Sequence, residues 1–107
     1  MRIELTEIQW FEEQRLSFDE LADVSRLPAE LLHELIGCGA ISPLEEQSTP
    51  AHFGAQALTT ARTARRLRDD FELDAAALAL ALRLIERVEE LEIELRQLRA
   101  RLPARLR

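Results

Sequence analysis

From residue 77 to residue 102 the apolar side chains Ala77, Ala81, Leu84, Val88, Leu91, Leu95, Leu98 and Leu102 follow one another at alternating spacings of four and three. That spacing holds a single stripe on one side of a helix, so the region is predicted to be one long helix with a heptad seam of about four repeats. Asp74 fits its N-cap, and Pro103 ends it near the last turn. Ile85 widens the stripe at its start. The alanines permit close helix approach and are expected to pack back on the rest of the chain, whereas the leucines from Leu84 onward require a partner helix. In a parallel pair Arg87 would lie near Glu92 and Glu94 near Arg99 across the seam, both attractive, and an antiparallel pair is left open.

A chain of 107 residues that gives its last part to one helix has room for one small domain besides. The expected division is 1–74 for a mainly α, winged helix-turn-helix domain and 75–107 for a C-terminal coiled-coil or dimerisation helix. Within the first part, Ser17 and Glu20 form a capping-box pattern for a helix to about Val24, with Asp19 a competing cap. Its inward face is expected to be Phe18, Leu21, Ala22 and Val24. Val24, Ser25 and Arg26 leave only a tight turn before a second helix, which starts near Pro28 and ends at Gly37 or Gly39. Leu31, Leu32, Leu35 and Ile36 would face the core, leaving Ala29, Glu30, His33 and Glu34 on the open face.

Residues 41–53, with Pro43, Pro50 and a polar run from Glu45 to Thr49, read as a loop or a weak wing hairpin. A third helix is predicted from about Ala55 to Phe71, burying Ala57, Leu58, Ala61, Ala64, Leu67 and Phe71 and exposing Arg62, Arg65 and Arg66. The N-terminal stretch suggests a short strand at Ile3 and Leu5, followed by an irregular connection. Trp10 and Phe11 there are read as core or staple residues in preference to a ligand platform.

Two helices joined by a tight turn suggest a DNA reader, and the charge contradicts it. Neutralising phosphates supplies much of the affinity for DNA, yet the second helix offers Glu30, His33 and Glu34 and no Arg. The formal charge of −6 divides unevenly: residues 1–53 hold eleven acids and three Arg, −8, while the remainder hold nine acids and eleven Arg, +2. No Lys or Arg lies in the wing region. An acidic surface repels nucleic acid and steers toward basic partners. The opposing case is Arg62, Arg65, Arg66 and Arg68, which could meet a phosphate backbone, although Asp69, Asp70 and Asp74 follow and could compensate them.

Catalysis finds little material. There is no phosphate-cradling glycine loop, and His33 and His52 are the only imidazoles. Cys38 stands alone, too few soft ligands for a thiolate metal site, and is expected to be a small buried residue at the end of the second helix. No enzyme, cofactor or metal is expected. Glu86, Glu89, Glu90, Glu92 and Glu94 read as the solvated outward positions of a heptad helix. Without a signal segment or a bilayer-spanning run, a cytoplasmic protein is expected.

The order of parts in SFDELADVSRLPAELLHELIGCGAISP, RTARRLRDDFELD and LIERVEELEIELRQLRARL resembles the MerR-like winged-helix family, and more closely its small chaperone-modulator members. The resemblance covers about residues 15–102. It implies a partner, the J-domain of a CbpA-like co-chaperone, and inhibition by occupying the basic surface through which that domain engages Hsp70. On that reading Glu30, His33 and Glu34 are the first candidates for partner contact, with Asp69 and Asp70 a second set. Leu84, Val88, Leu91, Leu95, Leu98 and Leu102 are the candidates for homodimerisation. The rival reading is a MerR-like DNA-binding transcriptional regulator, and a third is a purely structural oligomerisation module.

Overall fold

The computed structural model describes residues 15–106, so the strand expected at Ile3 and Leu5 and the roles of Trp10 and Phe11 lie outside the described residues. Four α-helices follow in order: α1 (Phe18–Ser25), α2 (Ala29–Gly37), α3 (Ala55–Phe71) and α4 (Ala75–Ala100), then a 3-10 turn (Ala104–Leu106). Among the described residues there is no strand. A single antiparallel bridge joins Leu16 to Phe53, each N–H donating to the other's carbonyl at 2.9 and 2.7 Å, and residues 41–53 are a loop pinned by it.

The α1 start is the capping box that the sequence spells. Glu20 N–H donates to Ser17 Oγ at 3.1 Å, and Ser17 N–H donates to Glu20 Oε1 at 3.0 Å, satisfying two backbone donors that a helix start leaves open. The helix runs past Val24, which is 39% exposed and not inward, to a buried Ser25. Burying that hydroxyl is tolerable because Ser25 Oγ donates to the Leu21 carbonyl at 2.6 Å. Arg26 then takes the left-handed conformation at φ 61°, costly for a residue with a Cβ, and the chain turns directly into α2.

α2 buries Leu32 and Leu35 completely and keeps Leu31 and Ile36 partly covered. Past its end, Gly39 supplies a φ of 85°, and the N–H groups of Ala40 and Ile41 both donate to the Leu35 carbonyl. Cys38, expected to be buried, is exposed: it is the C-cap, one position beyond the end of the helix, and its Sγ–H donates back to the Leu35 carbonyl at 3.4 Å.

α3 has the predicted limits and buries Ala57, Leu58, Ala61 and Ala64, with Leu67 partly covered. Phe71 departs from expectation at 66% exposed, because the last turn of α3 outruns the core that covers its earlier turns. A further correction concerns α4. Its start packs on α2 and α3 through Leu78 and Leu82, not chiefly through Ala77 and Ala81, which are only half-buried. The inward face is therefore turned by one residue, about 100°, from the heptad seam.

Past Ile85, α4 leaves the domain: every residue from Glu86 to Arg105 is exposed. The chain's long dimension of 52 Å against 32 and 30 Å, and a radius of gyration of 16.2 Å, reflect that projection. A compact chain of this length would have a radius near 13 Å, by roughly 2.2·N^0.38. Leu84 at 57%, Val88 at 52% and Leu98 at 58% show the seam lying open to solvent within the single chain.

Candidate functional site

α1 and α2 form the helix-turn-helix, and the tight turn at Arg26 fixes how α2 is presented. The turn is tied from across the domain, because Arg65 on α3 donates from Nη1 to the Arg26 carbonyl at 2.8 Å. The same guanidinium donates from Nε to Asp69 Oδ2 at 2.7 Å. Arg65 thus secures a left-handed residue that the turn requires, and it is committed to the fold instead of to a phosphate. Nothing in the sequence foretold this, since the two partners are 39 residues apart.

Glu30, His33 and Glu34 are all exposed on the α2 face opposite Leu32 and Leu35, as the spacing predicted. Glu30 and Glu34 stand four residues apart, so their Cβ atoms lie about 5–6 Å from each other along one side of the helix. His33, although exposed, is oriented by Phe18: the two rings have centroids 4.6 Å apart at 34°. Phe18 begins α1 directly after the Ser17 cap, so the capping box holds the ring against which His33 rests.

The two acids differ in what the fold asks of them. Glu30 belongs to the first turn of α2, where the positive end of the helix dipole favours a carboxylate. Glu34 lies in the last turn, where the dipole disfavours one, and that turn contains no basic residue. The second candidate set is less uniform. Asp69 is engaged by Arg65, whereas Asp70 is exposed in the last turn of α3.

Acidity on this domain is reinforced at Glu20, whose carboxyl is held below its ordinary range by the hydrogen bonds from the Ser17 backbone and hydroxyl, with a smaller contribution from nearby His52. Among the described residues no group of three or more His, Cys, Asp or Glu side chains is placed to hold a metal ion. None of the described helices is long and apolar enough to cross a membrane. The arrangement offers an exposed, negatively charged helix face with one ordered imidazole. It can recognise a cationic surface by complementarity.

Residues 16–100 match the family model described as MerR HTH family regulatory protein. Among curated proteins, the chain is similar to the chaperone modulatory protein CbpM of Salmonella arizonae, at 38% identity over 73 residues, 68% of this chain and 72% of the relative. The same protein from Salmonella paratyphi A matches at 38% over the same shares, and that of Salmonella newport at 37%.

Proposed function

Because this chain belongs to the MerR helix-turn-helix family, and within it to the chaperone modulatory proteins of the CbpM type, we propose that it is a non-enzymatic inhibitor of a J-domain co-chaperone. It binds the J-domain of a CbpA/DnaJ-like protein and, by occupying the basic surface, blocks engagement of Hsp70 (DnaK). The observation that carries this reading is the acidic, exposed face of α2, with Glu30, His33 and Glu34 where a DNA reader needs cations. Asp70, and Asp69 beside Arg65, are a subsidiary contact. The exposed seam of Leu84, Val88, Leu91, Leu95, Leu98 and Leu102 pairs two copies, so one assembly presents two acidic faces. A steady-state ATPase assay tests the inhibition: J-domain stimulation of DnaK should fall as this protein is added, and should be restored by excess J-domain. Undiminished stimulation at saturating protein would exclude it.

A second reading, DNA binding as a MerR-like regulator, is favoured by the exposed Arg66 and Arg68 on α3. Anisotropy against genomic fragments at physiological salt tests it, and sequence-specific binding there would establish it. The commitment of Arg65 to the Arg26 turn and Asp69 weighs against it.

A further inference from the structure

Beside the domain, where α4 begins to project, the 39–44 loop, the first turns of α3 and the middle of α4 enclose a groove of about 460 Å³. Its lining includes the apolar Leu44, Leu82 and Ile85 and the acidic Glu86 and Glu89, and no Arg. Leu44 is 52% exposed and lies over the α3 start, close enough to Gly54 that a Cβ there would meet Leu44 Cδ2 at 2.8 Å and the leucine side chain would have to shift. The threonines on the α3 side spend their donors at home. Thr59, Thr60 and Thr63 each donate to the carbonyl four residues back, at 3.0 to 3.1 Å, so their hydroxyls present lone pairs to the groove. Two carboxylates, hydroxyl acceptors and an apolar wall suit a helix that carries leucine-like anchors beside cations.

We propose that this groove is a second docking site, distinct from the α2 face, and that its occupant is a basic amphipathic helix of the partner protein. The reading of the partner as a co-chaperone with a basic helix is the one on which this rests. Charge selects the occupant. Phosphates would be repelled by Glu86 and Glu89, and residues 1–14 of this chain, with four acids and one Arg, carry the wrong sign. Glu86 and Glu89 also fall outside the leucine seam, so the acidic side of the groove stays exposed when the seams pair. In this arrangement the inhibitor grips its partner at two places, which raises the effective concentration of each contact for the other.

The test uses the full chain and its E86R/E89R variant, with amide NMR shifts and calorimetry against two probes, the isolated J-domain and a synthetic leucine–arginine amphipathic helix. With either probe, shifts should appear at Thr59, Thr63 and residues 85–89, and the variant should lose about tenfold or more in affinity while its thermal unfolding is unchanged. Binding of the J-domain without shifts at these amides, and with undiminished affinity in the variant, overturns the groove and leaves the co-chaperone reading standing. If the J-domain does not bind at all, that reading falls. The synthetic helix then decides the groove alone: shifts at the same amides, lost in E86R/E89R, uphold it, and their absence overturns it. Shifts confined to the groove when the seam is titrated with more of the same chain would assign it to a second copy and likewise overturn the proposal.

Discussion

Glu34 is an acid for which the fold has little use. It stands in the last turn of α2 against the helix dipole, with no basic residue in that turn to offset it. Glu34→Gln is therefore expected to leave the thermal midpoint equal or slightly higher while weakening J-domain binding, two effects of opposite direction that a stability defect could not produce together. Circular dichroism and calorimetry on the same sample check it. Glu20 makes the complementary case. Its folded-state pKa is lowered by the Ser17 hydrogen bonds, so the stability it contributes is complete above the ordinary carboxylate range and is lost as pH falls through the lowered value. Glu20→Gln should be less stable than the parent at neutral pH, with the gap closing as the pH falls. A gap constant across that titration would show that the charge of the carboxylate is immaterial. The capping box was legible because all of its partners lie within three residues. Cys38 and Phe71 were not, because whether a helix end is covered depends on what lies across the fold.

The four helices repeat that division between local and distant causes. Their limits could be read from caps and breakers such as Ser17, Pro28, Gly37 and Asp74, whose effects are local. Which side of α4 faces inward could not. From Ala75 to Ile85 nearly every residue is apolar, so two stripes overlap there, and only the seam continues past Ile85 with a clear period. The structure separates them: Leu78 and Leu82 serve the core, and Leu84 onward faces solvent. Each stripe carries its own prediction. Asp74 accepts from Ala77 N–H at 2.9 Å, so Asp74→Ala should cost about 1 kcal/mol in urea unfolding, the usual loss of an N-cap. Paired Leu91→Glu and Leu95→Glu substitutions should instead leave the fold intact and abolish dimerisation in sedimentation equilibrium at roughly tens of micromolar, because those side chains lie exposed on the projecting part of α4, outside the core. A parent protein that is monomeric there would remove the paired seam.

For the molecule as a whole, a helix-turn-helix scaffold is combined with a surface of the wrong sign for DNA. The scaffold is set by buried leucines and a capping box, and the function by what those elements leave outside, which is why family and fold were legible while the contact face stays a proposal. The first half of the chain carries −8, its loop holds no Lys or Arg, and one of the arginines that might have offset this is tied to the Arg26 turn. The decisive measurement is a calorimetric titration of the isolated J-domain into the parent protein and into its E30R/E34R variant, at about 0.15 M salt, where exposed charges interact over roughly 8 Å. Saturable binding to the parent, weakened tenfold or more by the reversal, is the expected result. Equal affinity for both proteins, or no binding to either, would contradict a helix-turn-helix whose open face has been turned from phosphate toward a basic protein partner.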